Sequence, residues 1–285
     1  LGDIPRRHVI AYHDLLLREV RPRKGGDVPS SDTQNKALSC IRTLLEWAIQ
    51  TGRIDGQNPA HGVKPRGLSR KQETTRKRRP WTTAELERIF HAPLYTGCLS
   101  PARVFEPGEH IPVWSGKYWM PLLALMTGAR IGELCGLQGR QCWTHNGLTY
   151  IKIEDGKTEN ATRSIPVHPE LERLGFIDFV ESVGDKPLFE DIDYSKFFNN
   201  QNRFFDKVNV KSNDVSFHSF RHAFKDMLRV LRDDELRNRL MGHAPSSVGE
   251  HYGSALTDDE AEYFVEKVRP PIDLTHLYRN RQHIK

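Results

Sequence analysis

Between Lys64 and Arg79 the chain carries eight basic residues (Lys64, Arg66, Arg70, Lys71, Arg76, Lys77, Arg78 and Arg79) against a single acid, Glu73. A stretch so charged, with no hydrophobic period, cannot enter a core, so folding must proceed separately on either side of it. Its net charge of +7 exceeds the +5 of the whole 285-residue chain, which leaves the remainder slightly acidic. The basic character is therefore local. Such a run is commonly a solvated linker, but its position between two patterned regions also suits it to lie along a phosphate backbone. The expected organisation is a helical region over 1–63, a basic linker over 64–80 and a larger domain over 81–285.

On the N-terminal side, residues 4–20 read as a helix with Val9, Ile10, Leu15, Leu16 and Val20 available for burial. Gly25, Gly26 and two prolines mark a loop, and a strongly patterned helix follows over about 32–50. There Ala37, Leu38, Ile41, Leu44, Leu45, Ala48 and Ile49 keep helical spacing, and Gly52 supplies a stop. Two or three helices make a thin core for this region, which is short enough to have lost an N-terminal helix.

Beyond the linker, Thr82 and Glu85 form a capping box ahead of Leu86, Ile89 and Phe90. The stretch 93–116 is rich in Pro and Gly and is expected to be irregular. An apolar helix over 118–126 ends at Thr127-Gly128, and Arg130 and Glu133 stand three apart at the start of the next helix. From 141 to 167 the period changes to two. Strands are expected around Cys142-Trp143, Tyr150–Ile153 and Ser164–Val167, with Asp155-Gly156 as a hairpin turn and Lys157 beside it. Two helices fit between 169 and 210. After a helix starting at the Thr257–Glu260 capping box, Pro270-Pro271 leads into an expected extended tail. The fold class is mainly α with a small antiparallel β-sheet (α+β).

The richest chemistry lies between His218 and Tyr252, in the runs HSFRHAF, LMGH and EHYG. Phe217, Phe220, Phe224, Leu228 and Leu231 predict a core-packed helix over 216–231, with His218 and Arg221 neighbours on one of its faces. A second helix is expected from Asp233 to Gly242, leaving His243 just past its end, and Tyr252 follows between Gly249 and Gly253. Two imidazoles, a guanidinium and a phenol suit phosphoryl transfer, with donors for phosphate oxygens, a base and a hydroxyl nucleophile. Taken alone, Arg130 and Glu133 read more readily as a buried pair joining two helices than as catalytic groups. Lys157 alone reads as a solubilising lysine at a hairpin tip.

Composition excludes several classes. Hydrophobic residues make up 37% of the chain, and no apolar run approaches the roughly 18 residues of a membrane span. The four cysteines, Cys40, Cys98, Cys135 and Cys142, form no CxxC pair, which argues against a disulfide framework or a structural zinc site and for a reducing, cytosolic setting. The first residue is Leu and no signal peptide follows, so the sequence reads as a fragment or a processed piece.

Taken together, these residues resemble the tyrosine recombinases, the phage integrase family of site-specific DNA recombinases. TGARIGELCGL is similar to that family's first arginine motif, with Arg130 as the arginine and Glu133 as its acidic companion. Lys157 in GKTENATRSIPV matches the hairpin lysine, HSFR supplies His218 and Arg221, LMGH ends in His243, and EHYGS places Tyr252 as the nucleophile. NKALSCIRTLLEWAIQTGRIDGQNPAHGVK resembles the last helix of the core-binding domain and the exit from it. Any one match is weak; six positions in order, with the strand hairpin between the two arginines, are specific. The stretch 93–116 has no counterpart in the pattern, and no arm-binding domain is expected within the sequence ahead of the core-binding region.

The resemblance implies a metal-independent, cofactor-free strand exchange through a 3′-phosphotyrosyl intermediate on Tyr252. His218 would take the phenol proton, Arg130, Arg221 and His243 would serve the non-bridging oxygens, Lys157 would protonate the leaving 5′ oxygen, and Glu133 would orient its neighbours. It also implies double-stranded DNA as partner, with the basic residues from Lys64 to Arg79 as DNA contacts and a homotetramer on paired recombination sites. Accessory DNA-bending or directionality proteins would assist integration or excision of a phage or mobile element, in the cytoplasm of a bacterial cell, with the protein nucleoid-associated when DNA-bound. Three alternatives remain open on the sequence. One is a metal hydrolase on His218 and His222, although it lacks an HExxH glutamate and a third ligand. The others are a topoisomerase with the same tyrosine chemistry and a DNA-binding remnant.

Overall fold

The computed structural model describes residues 4–20, 28–66, 78–154, 162–243 and 256–284, with the backbone alone at 194–195 and 198–202. The chain forms two compact units, Leu1–Lys77 and Arg78–Lys285. The architecture is mainly helical with two small antiparallel sheets.

In the first unit, α1 (Arg6–Glu19) and α2 (Ser31–Gln50) close a small core of Val9, Leu38, Leu45, Ala60 and Val63. Ser30 starts α2 by accepting the Thr33 N–H at 3.2 Å. The core is narrower than the periodicity predicts. Leu15 and Val20 are exposed, as are Leu44 (62%) and Trp47 (46%), whose ring lies under the Arg53 guanidinium at 4.6 Å. Two helices and one returning segment can cover only one stripe of each helix. Gln34 is buried beside His13. Its Oε1 accepts from His13 Nε2 (2.8 Å) and the Arg66 N–H (2.8 Å), while its Nε2 donates to the carbonyls of Pro29 (2.8 Å) and Arg66 (2.9 Å). The side chain of Gln34 thus ties the backbone at Arg66 to α2.

The second unit is built around α5 (Gly116–Thr127), every residue of which except Lys117 is buried. Before it come α3 (Thr83–Phe90) with the expected capping box, a single turn α4 (Pro93–Thr96) and a hairpin of β1 (Cys98–Ser100) and β2 (Arg103–Pro107). The expectation of irregular structure over 93–116 is corrected by that hairpin. Its glycines permit a close crossing: a Cβ on Gly97 would stand 2.3 Å from the Gly108 carbonyl oxygen, and Gly97 has a φ of +129°.

After α6 (Ile131–Cys135), the strands β3 (Cys142–His145), β4 (Leu148–Ile153) and β5 (Arg163–Pro166) form an antiparallel sheet in that order. Ile151 faces Ile165, and Ile153 faces Arg163, so all four share one register face. Three helices, not two, follow: α7 (Pro169–Arg173), α8 (Phe176–Val183) and α9 (Tyr194–Lys207). Next come α10 (His218–Met227), continued by a 3₁₀ turn to Val230, then α11 (Asp234–Met241) and α12 (Asp258–Lys267). Trp81 joins α9 and α10 through ring contacts with Phe205 (4.8 Å) and Phe220 (5.7 Å).

The C-terminal segment is not an extended tail. It winds into 3₁₀ turns over Thr275–His283 and buries Ile272, Leu274, Leu277 and Ile284 in the same core. Buried Asn280 donates to the Tyr95 carbonyl (2.8 Å) and the Tyr118 hydroxyl (3.1 Å). Four apolar positions spaced along the segment outweigh the Pro270-Pro271 break that suggested a free end.

Candidate active site

Helix α5 ends at Gly128, whose φ of +61° is the left-handed conformation that closes a helix. A Cβ there would meet the Phe224 ring at 2.4 Å, so the glycine also lets α10 approach. From α10, Arg221 donates through Nη1 to the Gly128 carbonyl at 2.7 Å and through Nη2 to the Met241 carbonyl. One buried guanidinium therefore joins the ends of α5 and α11.

Two residues beyond Gly128, Arg130 caps α6. Glu133 accepts the Arg130 backbone N–H on Oε2 (2.8 Å) and its Nη1 on Oε1 (2.5 Å). Glu133 Oε2 also accepts from Arg163 Nη2 at 2.9 Å. Burial opposes ionisation of Glu133, but Arg163 and then Arg130 outweigh it and hold the carboxyl below its usual range. At the end of α11 the His243 N–H bonds to the Asn238 carbonyl and the Gly242 N–H to the Arg239 carbonyl, both at 3.0 Å. This Schellman closure sets His243 just past the helix.

His218 opens α10 on an exposed edge. Crowding by the surrounding protein, then His222, Arg221, Arg130 and Arg78, lower its pKa to about 4. His243 is lowered by burial and by Arg221, Lys225, Arg130 and Arg163. Arg221 is brought down to about 10 by burial and by the charges of Arg163 and Arg130, which leaves it cationic at neutral pH. These mutual shifts define one electropositive concentration assembled from the α5–α6 junction, β5, α10 and the end of α11. It holds fixed cationic donors beside two neutral imidazoles, which suits a developing phosphorane charge and a proton acceptor.

The structure brings together Arg130, Glu133, His218, Arg221 and His243. Lys157 and Tyr252 lie outside the described residues, as do Arg70, Lys71, Arg76 and Lys77 of the basic run. Lys64, Arg66 and Arg78 are exposed, and Arg66 bonds Asp14 at 2.6 Å. Arg79 corrects the picture of a uniform linker: it is held by Glu85 (2.7 Å) and Asp214 (2.9 Å), and its backbone N–H by the Asp214 carbonyl (3.0 Å). The sequence reading gave Arg163 no role. Its signal was an arginine in register with the inward Ile165, a position that demands a buried counter-charge.

His218 and His222 stand edge to face with ring centroids 5.0 Å apart. Among the described residues no group of three or more His, Cys, Asp or Glu is placed to hold a metal ion. Among the same residues no helix is long and apolar enough to cross a membrane.

No protein-family model and no curated protein sequence matches the chain. Solved structures do. The XerH site-specific recombinase on palindromic difH, in a post-cleavage complex, superposes with a TM-score of 0.60 at 13% identity, over 86% of this chain and 67% of that one. The Tn1549 transposon integrase with a circular-intermediate DNA gives 0.59 at 17% identity, over 93% and 86%. The chain has the tyrosine-recombinase fold. A lambda integrase tetramer bound to a Holliday junction shares it as well, at 0.57 and 16% identity over 88% of this chain and 67% of that one. Within the tyrosine-recombinase fold, the order of elements described above carries HSFR on α10 and ARIGEL at the start of α6.

Proposed function

We propose that this chain is a site-specific DNA recombinase that cuts and rejoins duplex DNA through a covalent link to Tyr252. The supporting observation is the convergence of Arg130, Arg221, His218 and His243, delivered to one place by separate segments in a fold shared with such enzymes. In the proposed step the Tyr252 phenol oxygen attacks the phosphorus, the bond to the 5′ oxygen breaks, and a 3′-phosphotyrosyl link forms. A phenol with an ordinary pKa near ~10 needs a base, and neutral His218 accepts its proton. Lys157 gives a proton to the departing 5′ oxygen. Arg130, Arg221 and His243 serve the non-bridging oxygens, so fixed protein charge does what a metal does in other phosphoryl transfers.

The link conserves the phosphodiester's energy, so a 5′ hydroxyl from a partner strand can reverse the step without ATP. We assign the work to integration or excision of a phage or mobile element, on bacterial DNA in the cytoplasm, by a homotetramer on paired sites, with accessory DNA-bending or directionality proteins. Lys64, Arg66, Arg70, Lys71, Arg76, Lys77 and Arg78 would contact phosphates; Arg79 is already occupied by Glu85 and Asp214. Denaturing gels of the protein with nicked duplex sites test the reading. A covalent adduct should form with the native chain and be absent from Tyr252→Phe, which should still bind the duplex. Binding without any adduct from the native chain would leave a DNA-binding remnant instead.

A further inference from the structure

Arg163 is the first residue of β5, across from Ile153, and its side chain and that of Glu133 are each only 4% exposed. Glu133 receives three donors: the Arg130 guanidinium on Oε1, and the Arg130 N–H and Arg163 Nη2 on Oε2. The two donors from Arg130 belong to the residue being oriented. Arg163 comes from a different element, a strand locked by its ladder to β4, and so supplies an external reference for the carboxylate. We infer that Arg163 is a positioning residue: through Glu133 it fixes the Arg130 guanidinium against the scissile phosphate. This rests on the recombinase reading above.

The physical case turns on what Glu133 would do without Arg163. Its burial favours the protonated acid, and the two arginines oppose that. Losing the buried one leaves a carboxyl that is less ionised and no longer referenced to the strand, so the ion pair through which Glu133 directs the Arg130 guanidinium is weakened and less fixed. A misplacement of about 1 Å in such a group costs on the order of 10²-fold in rate. The competing account is that the pair merely fastens α6 to the sheet, as buried pairs often do. That account predicts a loss of folded protein and of DNA binding, with no specific loss in the chemical step.

Single-turnover adduct formation on nicked duplex, run with an ordinary phosphate and with a 5′-bridging sulfur, separates these. Duplex affinity and thermal midpoint are measured on the same samples. Arg163→Met should bind duplex as the native chain does and form adduct about 10²-fold more slowly. Sulfur should not restore the rate, because the loss is at Arg130 and not at the leaving group. Glu133→Gln should show the same defect, and the double variant should be no slower than the worse single one. Arg163→Lys, which keeps the charge, should recover part of the rate and provides a second variant if methionine impairs folding. Native rates in Arg163→Met, multiplying defects, rescue by sulfur, or a rate that falls only with folded fraction or affinity would each overturn the inference. A native chain that forms no adduct would overturn the recombinase reading as well, whereas a native adduct with an unaffected Arg163→Met would overturn this inference alone.

Discussion

His218 has its chemistry changed strongly by its surroundings. With its pKa brought to about 4 from an ordinary 6.5, it is neutral at pH 7 and free to accept a proton. A ring-proton NMR titration of the DNA-free protein, assigned by comparison with His218→Gln, should place its midpoint near 4; a midpoint near 6.5 would contradict the crowded, cationic setting. The sign for stability follows. The unfolded chain binds this proton more readily, so the histidine's contribution is fully present above about pH 6.5 and is lost as pH falls toward 4. His218→Gln should therefore lose less stability than the native chain over that interval. Lys157→Ala carries a different signature. It should slow cleavage by about 10²–10⁴-fold with an ordinary 5′ oxygen and recover when that oxygen is replaced by sulfur, which leaves without a proton. Equal defects on both substrates would return Lys157 to a surface role. The cluster was legible in sequence because its residue types carry their chemistry with them and fall on helices with plain periodicity. Arg163 was not, since an arginine between Thr162 and Ser164 gains meaning only when the register sets it beside Ile165 and against Glu133.

At the scale of elements, helix ends do the positioning. Gly128 closes α5, admits Phe224 and presents its carbonyl to Arg221. Gly128→Ala should cost the left-handed strain of about 1–2 kcal/mol plus an overpacking penalty of about 1–3 kcal/mol. Gly52→Ala, at a φ of +66° with nothing within 4 Å, should cost the strain alone. Denaturant unfolding of the two variants measures the difference, and equal costs would remove the Phe224 contact from the account. The C-terminal segment makes a second contrast. Each of Ile272, Leu274, Leu277 and Ile284 is worth about 1.5–3 kcal/mol when buried, so removing residues from 272 onward should lower the thermal midpoint sharply or prevent folding. A stable truncated chain would show that the segment is dispensable. Sequence pattern found helices with one strong stripe. It failed where a glycine pair makes a crossing, as at Gly97 and Gly108, and where too few neighbours exist to cover a stripe, as at Leu44 and Trp47. Neither property is local.

At the scale of the whole molecule, the concentration of positive charge in one segment makes the proposed DNA contact testable through salt. Neutralising Arg70, Lys71, Arg76 and Lys77 together should weaken duplex binding and flatten its dependence on salt by up to about 0.9 in log–log slope per lost phosphate contact. An unchanged slope would exclude this run from the phosphate backbone.

The Gln34 side chain has a further consequence. By holding the backbone of Arg66 it fixes one root of the connection, and Asp214 holds the other through Arg79. The tether between these roots spans at most about 45 Å when fully drawn out. On the proposed recombinase reading, a duplex captured by one unit would be offered to the other at an effective concentration on the order of mM. Each half could then grip weakly and let go quickly while the pair stays on, so residence on DNA would become a matter of avidity, adjustable by lengthening the tether without altering a single contact.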